Sequence, residues 1–321
     1  MSLSQKMHLN IVSGFLGSGK TTAIIRYISE HQLSERILVI INEFGENNID
    51  GHEIELRNLA SKFTVWHIPG GCICCVSKMV LNKKLIEAGK SKEFDRIIIE
   101  PSGLARASDI IDMVDKSTLK SVFNLHPVIC MVHPGMTIDG HAVREPIVWE
   151  QIQASDVIVA NFSDKITESE KIKFESKIRS LTPSKMSLIH TSKGEFPSSV
   201  FNLSYPIYKI HKISQSQENS TTGFSNRSFR WERCDIFDVT KLSNFFNEVV
   251  KNNSIIRAKG FFHTDKGWMK IESANGTINR TSSEYRADSR IDLHYQDNDL
   301  YKASIEKILS VLNTDELLSG N

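Results

Sequence analysis

Short, nearly continuous apolar runs punctuate the first two-thirds of the chain, and each stops at glycine, polar or charged residues. Leu9-Asn10-Ile11-Val12 ends at a glycine-rich turn, and Ile37-Leu38-Val39-Ile40-Ile41 is β-branched almost throughout. Such runs lack the apolar–polar alternation of a half-exposed strand and predict parallel strands buried on both faces. Phe63–Ile68, Arg96–Ile99, Val128–Val132, Val157–Ala160 and Ser187–Ile189 read the same way. Helical stretches fall between several of them, over Lys20–Glu30, Val76–Ala88, Ser108–Val114 and Glu168–Leu181. Strands alternating with helices predict an α/β fold, a doubly wound and mostly parallel sheet.

The pattern then changes. Ser214-Gln215-Ser216-Gln217-Glu218-Asn219-Ser220-Thr221-Thr222-Gly223 is polar without apolar periodicity and reads as a linker. Beyond it come the stretch Phe229–Asp235, a helix at Val239–Val250, and strands around Ile255–Phe262 and Trp268–Ile271. A strand near Arg290–Leu293 precedes a closing helix, Leu300–Leu312. Strands grouped between two helices predict a smaller α+β domain. The expected boundaries are 1–210 for the first domain, 211–226 for the linker and 227–318 for the second domain. There is no internal repeat.

Composition narrows the function classes. With 40% hydrophobic and 24% charged residues the chain is of the soluble globular kind. A formal net charge of +1 gives no electrostatic case for nucleic acid or an anionic membrane as partner. No apolar run approaches the roughly 18 residues that span a bilayer, and Met1–Lys6 lacks the apolar segment of a signal peptide. The 5 cysteines are odd in number and clustered, unlike a disulfide framework. A cytoplasmic, reducing location is the expectation, with the clustered thiols serving metal or redox chemistry.

The most specific motif is Gly14-Phe15-Leu16-Gly17-Ser18-Gly19-Lys20-Thr21-Thr22, which matches GxxxxGK[ST] after a predicted strand and at the start of a predicted helix. Glycines let backbone N–H groups converge on phosphate oxygens, and the helix N-terminus adds partial positive charge. Lys20 would reach the β- and γ-phosphates, and the Thr21 hydroxyl would face Mg²⁺. Gly14, Gly17, Ser18, Gly19, Lys20, Thr21 and Thr22 are therefore nucleotide-binding candidates.

A second motif lies downstream: three thiols in Gly70-Gly71-Cys72-Ile73-Cys74-Cys75. Thiolates favour borderline and soft metals, Zn²⁺ above all in a reducing cell. A closed structural zinc site normally has four ligands. Cys72, Cys74 and Cys75 without an obvious fourth leave an exchangeable position, which suits transfer. His67 is a candidate fourth ligand, though its strand position also fits a core or surface histidine. A redox thiol pair and buried small hydrophobes are the other readings of the cluster. Cys130, inside an apolar strand, reads as core, and Cys234 carries no prediction.

Three further stretches sharpen this. Asn42-Glu43-Phe44-Gly45-Glu46 with Ile49-Asp50-Gly51 follows the second strand, the thiol cluster follows the third, and Ile97-Ile98-Ile99-Glu100-Pro101-Ser102-Gly103 ends the fourth. Together they resemble the CobW/YjiA family of P-loop GTPases, relatives of the nickel-insertion GTPases of urease and hydrogenase, and most of all its YeiR branch. Ile256-Arg257-Ala258-Lys259-Gly260 and Asp288-Ser289-Arg290-Ile291-Asp292-Leu293 look like the CobW C-terminal domain. The resemblance implies a SIMIBI-type G domain with a smaller α+β domain, a Mg²⁺-dependent GTPase that binds Zn²⁺ (or Co²⁺ or Ni²⁺) and delivers it to a client protein.

Phosphoryl transfer to water depends on positioning and charge stabilisation, so the catalytic candidates are Lys20 with three carboxylates, Glu100, Glu43 and Asp50. Glu100 matches the Walker-B-like acid that holds Mg²⁺ or orients water, and Asp50 with Thr21 completes the Mg²⁺ candidates. Glu43 and Glu46 also fit solvated loop positions. The Gly103 N–H would meet the γ-phosphate. Relatives carry an acid two residues before Glu43 that is implicated in metal binding; here that position is Ile41.

Departures cluster at the base site. The family's guanine motif is [NT]KxD, and here Asn161-Phe162-Ser163-Asp164 stands in its place. Asp164 can accept from guanine and Asn161 can tie the loop, while Phe162 replaces the lysine whose stem covers the base. An aromatic ring can stack on a base instead, which weakens the case for strict GTP preference. Ser192-Lys193-Gly194 could supply a further base-contacting loop. His133 stands where relatives have Asp, and the linker offers only His211, against a metal-storage role.

The reading is thus a GTPase metallochaperone whose switch loops and thiols share one conformational change. The rivals are a weakly hydrolysing nucleotide-binding metal sensor and a P-loop kinase with a structural zinc. The partner expected is a client metalloprotein, with a nucleotide- or metal-dependent dimer left open.

Overall fold

The computed structural model describes residues 6–31, 34–43, 63–69, 76–115, 118–138, 145–181, 184–205, 224–252, 254–274, 276–296, 302–312 and 314–319. The chain divides into two compact units, Met1–Tyr205 and Pro206–Asn321.

The first unit is built on one sheet ordered β3-β2-β4-β1-β6-β7-β8, with β5 beside β1. Its strands are β1 (Met7–Gly14), β2 (Ile37–Glu43), β3 (Thr64–Pro69), β4 (Arg96–Glu100), β5 (Phe123–Leu125), β6 (Ile129–Val132), β7 (Val157–Ala160) and β8 (Ser187–His190). All described pairings are parallel, for example Leu9 beside Ile97 and Val132 beside Ala160. Helices supply the crossovers: α1 (Lys20–His31), α2 (Val76–Ser91), α3 (Ala107–Asp115), the short α4 (Leu119–Val122) and α5 (Pro134–Ile138), then α6 (Pro146–Ala154) and α7 (Glu168–Arg179).

The apolar runs do what their composition dictates. Every residue of β4, β6 and β7 is buried. Ile97 and Ile99 pack with Leu81, Leu85 and Ile111 on one face, while Ile98 and Val39 pack with Ile24, Ile28 and Phe201 on the other. Each such side chain contributes about 1.5–3 kcal/mol through burial. The order of strands reverses at β1, between β4 and β6, and in open parallel sheets a ligand crevice lies beyond the C-terminal ends at such a point. The C-terminal ends of β1, β4, β6, β7 and β8 therefore define where the site must be.

The second unit is a five-stranded antiparallel sheet ordered β12-β11-β10-β13-β9, from β9 (Phe224–Trp231), β10 (Ile255–Thr264), β11 (Gly267–Ala274), β12 (Thr277–Ser282) and β13 (Ser289–Gln296). Its own core joins Trp231, Phe262, Ile271 and Leu293 to α8 (Val239–Lys251) and α9 (Lys302–Leu312) through Phe246, Leu242 and Leu309. The first strand after the linker starts at Phe224, earlier than the Phe229–Asp235 stretch suggests, and stops at Trp231, where Glu232 and Asp235 close a turn.

Candidate functional site

The phosphate loop joins β1 to α1. It opens with a turn in which Ser18 N–H donates to the Phe15 carbonyl at 3.2 Å, and Ala23 N–H donates to Gly19 O at 3.1 Å as the helix begins. No acidic residue of α1 itself stands in its first turn, which leaves the partial positive charge of its N-terminus to groups from outside the helix. The loop is tightly nested: a Cβ on Gly14 would run into the Met131 carbonyl, and one on Gly19 into the Asn161 amide. Both glycines also have positive φ, 143° and 93°. Lys20 is buried and its Nζ lies 3.2 Å from the Phe15 carbonyl, folded over the loop it serves.

Glu100 ends β4 and is 6% exposed. Its Oε1 accepts from the Thr21 hydroxyl at 2.7 Å. A threonine hydroxyl and a carboxylate, held together at the head of the phosphate-loop helix, are the hard oxygen donors that Mg²⁺ takes. Gly103 lies one turn on and packs directly on the loop, where a Cβ would come within 2.6 Å of Leu16 N.

Asn161 follows β7 and is buried at 1% exposure. Its Nδ2 donates to Ser18 O at 3.1 Å, and its Oδ1 accepts from Gly194 N–H at 3.0 Å. One amide therefore fastens the phosphate loop to the loop after β8. That second loop also packs on α1, since a Cβ on Gly194 would lie 3.4 Å from Thr22 Cγ2. Asp164 sits in the short 3-10 turn Ser163–Lys165 and is exposed.

The two departures read separately in the sequence meet here. Phe162 adopts a left-handed conformation, φ 59° and ψ 28°, and its ring stacks on His133 with centroids 4.9 Å apart and planes 26° from parallel. The parallel register of β6 and β7, Val132 beside Ala160, puts the two following loops side by side. Lys165 Nζ lies 4.9 Å from the Phe162 ring centroid. His133 Nδ1 accepts from Met136 N–H at 3.3 Å, and burial, aided by the Lys165 charge, pushes its pKa down, so the ring is neutral at pH 7. A neutral stacked pair thus stands where the family's motif would put a lysine.

The structure brings together Gly14, Gly17, Ser18, Gly19, Lys20, Thr21, Thr22, Glu100, Gly103 and Asn161. Glu43 ends β2, with its side chain outside the described residues. Asp50, Glu46, Cys72, Cys74, Cys75 and His211 also lie outside them. Among the described residues no three or more His, Cys, Asp or Glu side chains come together as a metal site. His67 is exposed on β3. Cys130 is buried, with desolvation pushing its thiol up to about 12, and Cys234 is exposed. No described helix is long and apolar enough to cross a membrane.

Sequence reasoning passed over Gln151. It lies in α6, buried at 1% exposure, and its Nε2 donates to the carbonyls of Gly103 at 3.0 Å and Ala105 at 2.9 Å. Its place three residues after Val148 and one before Ile152, on the same helical face as those apolar side chains, was the available signal. Lys78, near the start of α2, pairs with Asp109 of α3 at 2.8 Å, so the helix after the thiols touches the helix after Glu100.

Comparison with known proteins agrees with the motifs. The family model for the CobW/HypB/UreG nucleotide-binding domain matches residues 8–188. The zinc chaperone YeiR of Escherichia coli is 35% identical over 163 residues, 50% of this chain and 48% of YeiR, so the match spans about half of that relative. The zinc chaperone CobW of Pseudomonas aeruginosa is 24% identical over 293 residues, 81% of this chain and 78% of its own length. Zn(II)-bound YjiA GTPase from E. coli, a solved structure, shares 18% identity at a TM-score of 0.43, covering 96% of this chain and 99% of its own. With its phosphate loop, parallel sheet and more than half its length matched, this chain belongs to the CobW/HypB/UreG family of nucleotide-binding domains.

Proposed function

We propose that the chain is a Mg²⁺-dependent GTPase that binds zinc, or a similar transition metal, through Cys72, Cys74 and Cys75 and delivers it to a client metalloprotein under nucleotide control. The observation that carries the nucleotide half is the 2.7 Å contact of Thr21 with Glu100 at the head of the phosphate loop. The metal half is supported by the thiol motif and by zinc chaperones among the relatives.

In this reading the α1 N-terminus and the loop N–H groups bind the phosphates, and Lys20 swings from the Phe15 carbonyl to the β- and γ-oxygens. Thr21 and Glu100 would hold Mg²⁺, which would neutralise phosphate charge when bound. Glu100, with Glu43 or Asp50, orients the attacking water. Gly103 senses the γ-phosphate, and the Lys78–Asp109 contact lies on the route from that segment to the helix after the thiols. Phosphate loss then relaxes the switch segments and lowers the affinity of the thiols for their cargo.

The test measures Zn²⁺ affinity by chelator competition with a GTP analogue and with GDP, alongside phosphate release from GTP. Tighter Zn²⁺ binding with the GTP analogue than with GDP is expected, as is loss of turnover in Lys20→Ala. Equal affinities in both states remove the coupling, because a ligand that binds two states alike shifts neither. Phosphate passed to an acceptor other than water would make the chain a kinase.

A further inference from the structure

We infer that Gln151 is a positioning residue for GTP hydrolysis, the clamp that holds the 101–106 segment in its γ-phosphate-accepting orientation; this rests on the GTPase reading above. Gln151 belongs to α6, a helix that packs against β1, the phosphate loop's own strand, and nothing in its position requires a polar side chain for solubility. It is 1% exposed, among the apolar residues Val148 and Ile152 of its own helix. Burying an amide there costs free energy unless its groups are bonded, and an apolar side chain would avoid that cost.

What the amide holds is specific. Both described bonds of Nε2 go to backbone carbonyls of one short segment, Gly103 O at 3.0 Å and Ala105 O at 2.9 Å. The same segment presses on the phosphate loop, because Gly103 has room for no Cβ, with Leu16 N only 2.6 Å from where one would stand. Gln151, Phe15, Leu16 and Ser18 line a single small cavity, so the clamp and the phosphate loop are close neighbours. One residue after Ala105 and one before Gln151, Arg106 pairs with Glu150 at 3.0 Å and repeats the tie nearer the surface.

Peptide planarity turns this into a statement about catalysis. A planar trans peptide points its N–H opposite to its C=O. Drawing the Gly103 and Ala105 carbonyls toward α6 aims the N–H groups of Leu104 and Arg106 the other way, with Leu104 N–H donating to Ser102 Oγ at 3.4 Å. Ala105 N–H donates to Ser102 O at 2.8 Å and so fixes the peptide that carries the Gly103 N–H. The pull on the two carbonyls also stops either peptide from rotating a carbonyl oxygen toward the phosphate loop, where it would repel phosphate oxygens. Bound nucleoside phosphates need the loop, Lys20 and Asn161; only the response to the γ-phosphate needs this segment. Gln151 should therefore govern turnover and leave nucleotide affinity alone.

Gln151→Met keeps the volume and removes both donors. The expected result is a roughly ten- to hundredfold fall in kcat for GTP, as for misplaced catalytic geometry, with the affinity for a fluorescent GDP analogue within about threefold of the parent. Hydrogen exchange supplies a second readout that needs no turnover: a GTP analogue should protect 101–106 in the parent chain and fail to do so in the variant. Unchanged kcat and protection would overturn the inference, and so would parallel losses of kcat and GDP affinity, which would make Gln151 part of the binding pocket. Gln151→Ala repeats both measurements should the methionine variant not fold. A parent chain that binds nucleotide, shows the protection, yet releases no phosphate overturns the GTPase reading and not the clamp.

Discussion

Phe162 is the residue at which this chain differs most from its family's motif, and its surroundings explain how the change is borne. A bulky side chain in the left-handed region costs about 1–3 kcal/mol and persists only where neighbours over-determine it. Here the His133 ring stacks on it, Lys165 N–H donates to its carbonyl at 2.9 Å, and Ser163 N–H donates to Thr191 O at 2.9 Å. A flat aromatic surface at this place suits any purine, since stacking is indifferent to the groups on the ring edge. Phe162→Ala is therefore expected to weaken GDP and ADP analogues by a similar factor, roughly five- to hundredfold for one lost base–aromatic stack. Asp164→Ala should weaken the GDP analogue alone. Titrating both fluorescent nucleotides against both variants checks the pair, and a Phe162→Ala loss confined to GDP would show that the ring reads guanine. Neither residue's meaning could be read from the sequence in isolation. His133 and Phe162 were visible as two separate oddities, and only the β6–β7 register makes them one feature.

At the scale of elements, the end of the sheet remote from the phosphate loop is closed by polar contacts. Arg96, 1% exposed, donates to Glu35 at 2.7 Å and to the Phe201 carbonyl at 3.2 Å, while Asn10 Nδ2 donates to the same carbonyl at 2.8 Å. Beside them His126 Nδ1 lies 2.6 Å from the Leu203 carbonyl, and its Nε2 lies 2.7 Å from His8 Nδ1. A carbonyl only accepts, so His126 carries its proton on Nδ1 and takes one from His8 at Nε2. Burial pushes both histidine pKa values down; Arg96 pushes the same way, and Glu35 opposes it at both. At Glu35 burial acts upward but is outweighed by the Arg96 hydrogen bond and charge, so its carboxyl is held low as well. For groups depressed in the folded state, the unfolded chain takes up protons first as pH falls. Stability is therefore full above the unfolded values and declines below about 6.5 for the histidines and below about 4.3 for Glu35. The midpoint of thermal unfolding should drop between pH 7.5 and 5.5, and His126→Gln, which can still donate to Leu203, should flatten that drop. A flat profile in the parent chain would refute it.

This lock also shows which parts of the fold were legible. Ile97-Ile98-Ile99 announces a buried strand by composition alone, and the phosphate loop announces its strand and helix together. The edge strand β12 does not, because Thr277–Ser282 is polar and largely exposed and is a strand only through its pairing with β11. The three-residue β5 is too short to carry a period. In α6 the apolar residues run together around Trp149 with no clear helical spacing, so Gln151 stood in a stretch to which no role could be given. The thiols are the reverse case: plain in the sequence, and outside the described residues.

On the scale of the whole molecule, each unit closes its own core. Ile11, Ile99 and Val159 are buried within the first, and Trp231, Phe262 and Leu309 within the second. The phosphate loop, Glu100, Gly103, Gln151 and Asn161 all belong to the first unit, Met1–Tyr205. A chain ending at Tyr205 is accordingly expected to fold cooperatively and to bind the fluorescent GDP analogue within about threefold of full length, because sites without shared partners behave additively. Calorimetry and a binding titration on that fragment check it; failure to bind would mean that the second unit completes the nucleotide site.

The Asn161 amide, bonded to Ser18 on one side and Gly194 on the other, has a consequence for the newborn chain. Its two partners lie near opposite ends of the first unit, and β1 cannot gain β6 as its neighbour until β6 has been made. At a translation rate of about 5–20 residues per second, the phosphate loop emerges from the ribosome roughly ten to forty seconds before Gly194 can join it. Throughout that interval the loop is present without the carbonyl, amide and neighbouring strand that shape it. On the function proposed above, the nascent chain would not engage nucleotide, or begin a cycle of metal loading, until Asn161 and Gly194 had both been made.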